Sequence, residues 1–302
     1  MKYLGYIFIF SILVIFAACT ENNNQPGYRP SFQSQPLNTQ RKEYLFGIHP
    51  LYNPQRMLEI FGPLMDILSQ EIPEIQFSLE ASRNYADYDQ KISSRKFHLA
   101  LPNPYQTIKS FKYGYRVMAK MGDDKDFRGI ILVRKDSNIK TLLDLKGKKV
   151  NFPAVTALAA SIMPQYYMQT HGLDVKKDIK VGYVGSQESA ILSAFNKEVA
   201  AGVTWPLPWK TLSQARPELL KEMIILAETE PLLNNSLIVR DDIEPEIIEK
   251  VKNVLIHLHE NERGRKILRK LELSKFENAT NGTYKPVQDF MKKYTALLGT
   301  VD

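Results

Sequence analysis

Lys149-Val150-Asn151-Phe152-Pro153-Ala154-Val155-Thr156, continuing Ala157-Leu158-Ala159-Ala160-Ser161-Ile162-Met163-Pro164, holds the pattern that decides the fold. Lys149 to Phe152 has the short apolar character of a strand, and the residues from about Thr156 to Thr170 carry apolar positions at helical spacing. Gly172 follows as a helix stop. Ile179 to Val184 is again strand-like. Strand, helix and strand in close succession is the unit from which parallel sheets are built, because parallel neighbours need a crossover between them.

The alternation extends both ways. Upstream, strands are expected at Tyr44–Ile48, Ile75–Leu79, Phe97–Leu101, Arg116–Met121 and Gly129–Arg134. A helix begins at Asn53-Pro54, where Asn caps free amides and Pro suits the first helical position. A second runs from Asn84 to Arg95. Downstream, Ser186 caps a helix to about Asn196, and a strand at Ala200–Thr204 enters a rigid turn, Trp205-Pro206-Leu207-Pro208-Trp209. Strands at Met223–Ala227 and Leu237–Arg240 precede a largely helical end over 245–259, 261–271 and 285–298. The expected class is α/β, with mostly parallel sheets flanked by helices.

The chain has 302 residues, 44% of them hydrophobic and 24% charged, which excludes collagen and wholesale disorder. Its surplus of +7 is spread along the chain and forms no dense basic stripe of the kind duplex binding needs, so no nucleic-acid partner is expected. Residues 3 to 18 are uncharged and apolar, shorter than the ~20 residues of a bilayer span, and 1–18 is read as a signal peptide. Phe16-Ala17-Ala18-Cys19 resembles a bacterial lipobox, and Cys19 is the sole cysteine of the chain. Lipidation at Cys19 would anchor the protein to a membrane without spanning it. Residues 19–42, rich in Asn, Gln, Pro and Ser, form a tether that cannot bury enough surface to order itself.

The sequence contains no His-Glu-x-x-His, no phosphate-binding Gly-rich loop and no Gly-x-Ser-x-Gly, and the body lacks a thiol. His257 and His259 are two apart on a helix and point to different faces. No catalytic residue, metal site or cofactor is expected, and a binder is favoured over an enzyme.

Five segments in order resemble the phosphate/phosphonate-type substrate-binding proteins of ABC importers. They are Phe46-Gly47-Ile48-His49-Pro50 with Phe61-Gly62-Pro63-Leu64; Leu99-Ala100-Leu101-Pro102-Asn103-Pro104-Tyr105; Arg128 to Ser137 running into Asp144-Leu145-Lys146-Gly147-Lys148; Phe152 to Ala157; and Val184-Gly185-Ser186-Gln187-Glu188 followed by Glu198 to Val203. The resemblance implies a two-lobed type II periplasmic-binding-protein fold that closes on a solute. Lobe one would be 41–134 plus 226–302 and lobe two 135–225, with crossings near 135–140 and 223–230. It implies a monomer in the cell envelope that binds a small anion or other organic solute for an ABC permease. The same fold can instead report occupancy to a membrane partner such as a histidine kinase.

Ligands of open α/β sheets sit beyond the carboxyl ends of the strands. That rule selects His49 and Tyr52, Asn103 and Tyr105, Thr156 and Ser161, Gln187 and Glu188, and Trp205. Thr156, with the amides of Ala157 and Leu158, would favour an anion, although Thr156 can equally be a plain cap. The resembled phosphonate binders carry a Ser/Thr-Ser-Gly cluster here, whereas this chain has Thr156-Ala157-Leu158 and lacks hydroxyls. Tyr105 could wall a pocket or pack within its lobe, and His49 could line the cleft or be structural. By resemblance Glu188 could hold a ligand amine, but a carboxylate at a helix start also serves the helix dipole. Trp205 stands where amine-binding relatives have Asp, and it brings an apolar face with one donor.

Overall fold

The computed structural model describes residues 41–301. The expected signal segment, Cys19 and nearly all of the expected tether lie outside the described residues. The chain opens with β1 (Lys42–Ile48), α1 (Pro54–Glu71), β2 (Ile75–Glu80), α2 (Tyr85–Ser93), β3 (Leu99–Leu101), α3 (Pro104–Ser110) and β4 (Tyr115–Met121). It then builds β5 (Ile130–Arg134), β6 (Lys149–Phe152), a π-helical turn (Leu158–Ile162) leading into α4 (Met163–Thr170), β7 (Lys180–Tyr183), α5 (Gln187–Phe195), β8 (Ala201–Thr204), α6 (Pro206–Ala215), α7 (Glu218–Glu222) and β9 (Met223–Glu228). It closes with β10 (Ser236–Arg240), α8 (Pro245–Ile256), α9 (Glu262–Lys270), β11 (Phe276–Asn278) and α10 (Lys285–Leu298).

Two sheets result. The first has the order β11-β4-β10-β3-β1-β2, and the second β7-β6-β8-β5-β9. In each, three neighbouring strands run parallel, β2-β1-β3 and β7-β6-β8. The next strand, β10 or β5, opposes them. The expectation of mostly parallel sheets is met in strand direction: four of the six strands of the first sheet and four of the five of the second run the same way, with β10 and β11 opposed in the first and β5 in the second. β10 and β5 each enter a sheet just after the chain has crossed from the other lobe, without the helical crossover that parallel pairing requires.

The lobe boundaries also differ from those expected. Ile130–Arg134, placed by the sequence in the first lobe, pairs with β8 and β9 in the second sheet. The first crossing is thus the 122–129 segment and the second 229–235. The two crossings are tied together: Thr229 N donates to Gly129 O at 2.9 Å, Gly129 N to Thr229 Oγ1 at 2.9 Å, and Leu232 N to Phe127 O at 3.0 Å.

Local chemistry fixes the strand ends that face the other lobe. Asn53, Asn84, Asn103 and Ser186 each accept backbone amides at a helix start. The expected rigid turn after β8 is instead the first turn of α6, with Trp205 as its cap residue. Pro206 and Pro208 fit because the first amides of a helix need no intrahelical partner. Gly202 is required where α5 crosses β8: a Cβ there would lie 2.0 Å from Ala190 O. Phe46, Phe77 and Phe97 are fully buried in the first lobe, and Ile130, Leu132, Ile191 and Leu219 form a separate apolar cluster in the second. Among the described residues no helix is long and apolar enough to cross a membrane.

Candidate ligand site between the lobes

The carboxyl ends of β1, β3, β6 and β8 converge on a narrow cleft, lined by His49, Tyr85, Asn103, Phe127, Ala157 to Ala160, Gln187 and Trp205. Phe127 comes from the first crossing segment and packs at a tilt against Trp205, with ring centroids 5.3 Å apart and planes inclined by 60°. Trp205 is only 3% exposed. Among the described residues no lysine or arginine lines the space.

The second lobe contributes backbone. The amides of Leu158, Ala159 and Ala160 are the first of the π-helical turn and have no acceptor within it. The next two are paired, since Ser161 N and Ile162 N both donate to Ala157 O at 2.8 and 3.2 Å. Ala157 N, expected to be free, donates to Ala154 O at 3.3 Å. The unpaired amides are therefore displaced one to three residues along the chain from the sequence expectation. Gly129 permits this: a Cβ there would lie 2.4 Å from Ala159 O and from Pro164 Cγ.

Side chains add further donors. Thr204 Oγ1 donates to Gln187 Oε1 at 2.8 Å, and Gln187 Nε2 donates to Tyr85 OH at 3.1 Å. The chain leaves the Tyr85 hydroxyl hydrogen and one Gln187 amide hydrogen uncommitted. Burial raises the Tyr85 pKa, against the Gln187 hydrogen bond, so the phenol stays neutral. His49 is buried, with Nδ1 2.8 Å from Leu101 O. Burial pulls its pKa down to about 4, the Leu101 bond acting the other way. The site is thus uncharged and rich in donors, suited to an anion held by oriented dipoles rather than by a counter-charge.

Of the residues selected from sequence, His49, Asn103, Gln187 and Trp205 line the cavity. Asn103 is also structural, for its Oδ1 caps α3 and its Nδ2 donates across the cleft to Thr156 O at 2.9 Å. Thr156 stands just before the cavity-lining turn, where its Oγ1 donates to Asp89 Oδ2 at 3.1 Å. Asp89 also accepts from Gln106 Nε2 at 2.6 Å, and burial pushes its carboxyl up to about 6 despite both bonds. Tyr52 lies outside the lining and meets Thr211 Oγ1 at 3.3 Å. Tyr105 packs within its lobe, its OH 3.4 Å from Val301 O. Ser161 is fully buried, with an Oγ that has no partner. Glu188 sits half-buried in the first turn of α5, outside the lining. Sequence reasoning missed Tyr85 and Phe127. Tyr85 follows the cap Asn84, and that helix-start signal could have marked it. Phe127 lies in a crossing segment without periodicity and carries no such signal.

The profile of the family described as ABC transporter, phosphonate, periplasmic substrate-binding protein matches residues 46–284. The chain belongs to this family. Its members are substrate-binding components of transporters, a family of the periplasm or cell envelope. The probable ABC transporter phosphite binding protein PhnD1 of Prochlorococcus marinus is 24% identical over 190 residues, 59% of this chain. That match spans 64% of the relative's own length. The binding-protein component of an ABC phosphonate transporter from Pseudomonas aeruginosa superposes with a TM-score of 0.79 at 18% identity, covering 84% of this chain and 87% of that one. PhnD1 of Prochlorococcus marinus in complex with methylphosphonate gives 0.76 at 19% identity, over 83% and 98% of the two chains. These likenesses establish the type II fold, which the order and direction of the strands express.

Proposed function

We propose that this phosphonate-family binding protein captures a small phosphonate-like oxyanion between its lobes and delivers it to an ABC permease without chemical change. One observation supports the proposal: the unpaired Leu158–Ala160 amides meet Tyr85, Gln187 and Trp205 around one narrow cleft free of cationic side chains among the described residues. Dipolar donors in a dry site hold an anion strongly because the low dielectric strengthens each bond. The methylphosphonate complex of the similar PhnD1 supports this solute class. The protein acts as a monomer held to the membrane through acylated Cys19, whose lipobox-like setting is the support for that anchor. No catalytic role is assigned to any residue.

The test is calorimetric titration and thermal shift with phosphite, methylphosphonate and phosphate. A ligand at 100 times its Kd is expected to add about 2.7 kcal/mol to apparent stability. Absence of any shift with all three would overturn the oxyanion assignment.

A further inference from the structure

We infer that His49 sorts ligands by protonation state, presenting an acceptor to the cavity so that the site prefers an oxyanion still carrying a hydroxyl over a dianion or a sulfonate. This rests on the oxyanion site proposed above and names which oxyanions it takes. His49 follows β1 and is 2% exposed. Its Nδ1 lies 2.8 Å from Leu101 O, and a carbonyl can only accept, so the ring hydrogen is on Nδ1. Its neutrality near pH 7, already derived from burial, leaves Nε2 as a bare lone pair. With Nδ1 turned to β3, Nε2 is the polar atom His49 has left for the cavity it lines.

The surroundings hold that ring in place and supply no second acceptor of equal freedom. Tyr85 and Tyr88 pack edgewise on it, with centroids 6.1 and 6.4 Å away. The titratable groups facing it are these two phenols, both raised by burial, and beyond them Asp89, whose oxygens are engaged by Gln106 and Thr156. The Asn103 Oδ1 already accepts from the amides of Tyr105 and Gln106, and the Gln187 Oε1 from Thr204. The polar hydrogens left without a partner in the lining, those of the Leu158–Ala160 amides, the Tyr85 hydroxyl, Gln187 Nε2 and the Trp205 indole, are available to donate. Many donors and one acceptor match a monoprotonated oxyanion. An ionised oxygen placed against the His49 lone pair would be repelled, and a sulfonate would leave that lone pair unpaired.

The test compares methylphosphonate with methanesulfonate by calorimetry at about pH 6 and about pH 9. Methanesulfonate has the same shape, no hydroxyl and a fixed single charge, so the ratio of the two affinities cancels titration of the protein itself, Asp89 included. Methylphosphonate is expected to bind at least about tenfold tighter near pH 6, with the advantage lost as its second proton leaves. In His49→Gln, whose amide can turn a donor to the cavity, the ratio becomes flat with pH; if that variant fails to fold, the pH series on the unaltered protein decides alone. Equal affinities near pH 6, or a ratio that does not fall with pH, would overturn the inference while leaving the oxyanion site standing. Binding of neither ligand would instead remove the oxyanion site, and this inference with it.

Discussion

Trp205 shows how one residue serves both packing and recognition. Its indole fills the space beside Phe127 and its N–H is the donor that a phenylalanine would lack. Trp205→Ala is expected to cost about 3 to 5 kcal/mol in denaturant unfolding, the range for emptying a buried aromatic site. Trp205→Phe should recover most of that stability yet still weaken oxyanion binding several-fold. Equal losses of affinity and stability in both variants would assign Trp205 to packing alone. The residue was legible in the sequence because it directly follows a strand. Its neighbour Phe127 was not, because nothing local reports that a crossing segment will be folded back over the cavity.

The element that matters most is the π-helical turn at Leu158–Ile162. A wider turn alters which amides remain free, so the expected pair at Ala157 and Leu158 becomes Leu158 to Ala160. Ser161 sits on the buried side of this turn with an unsatisfied hydroxyl. An orphaned buried polar group costs about 1 to 3 kcal/mol. Ser161→Ala should therefore raise the melting point, by about 1 kcal/mol of stability, and leave ligand affinity unchanged; a drop in affinity would return Ser161 to the ligand site. Caps were the most readable part of each element, since Asn53, Asn84, Asn103 and Ser186 act through neighbours two or three residues away. The role of Gly129 was hidden, because the atoms that demand a glycine there come from Ala159 and Pro164 in another element.

At the scale of the whole molecule the lobes are closed on each other. Gln187 to Tyr85, Asn103 to Thr156, Thr156 to Asp89, Tyr294 OH to Gln165 Oε1 at 3.2 Å, and Lys210 to Glu272 all bridge them. Asp89 makes this closure depend on pH. Burial raises its carboxyl from 3.8 to about 6, and opening the cleft would return water to it. The closed form then binds more protons than the open form between about pH 4 and 6, so closure is favoured as pH falls through that window and the gain is lost above it. Small-angle scattering of the ligand-free protein should report a smaller radius of gyration at about pH 5 than at about pH 7.5. Asp89→Asn, which stays neutral, should abolish the difference; a difference of the same size in the variant would rule out Asp89 as its source.

The sequence by itself determined the α/β class, the succession of strands and helices, the helix caps and the loops at the carboxyl ends of the strands. All of these follow from periodicity and from hydrogen bonds that span a few residues. Only the tertiary structure decided which sheet β5 and β9 join, which amides stay unpaired, and that Tyr85 and Phe127 share a cavity with His49 and Trp205. Those facts depend on contacts between residues far apart in the chain, and on the tautomer that Leu101 imposes on His49 across a neighbouring strand. No local pattern encodes them, because each is fixed only when the two lobes come together around a shared apolar core.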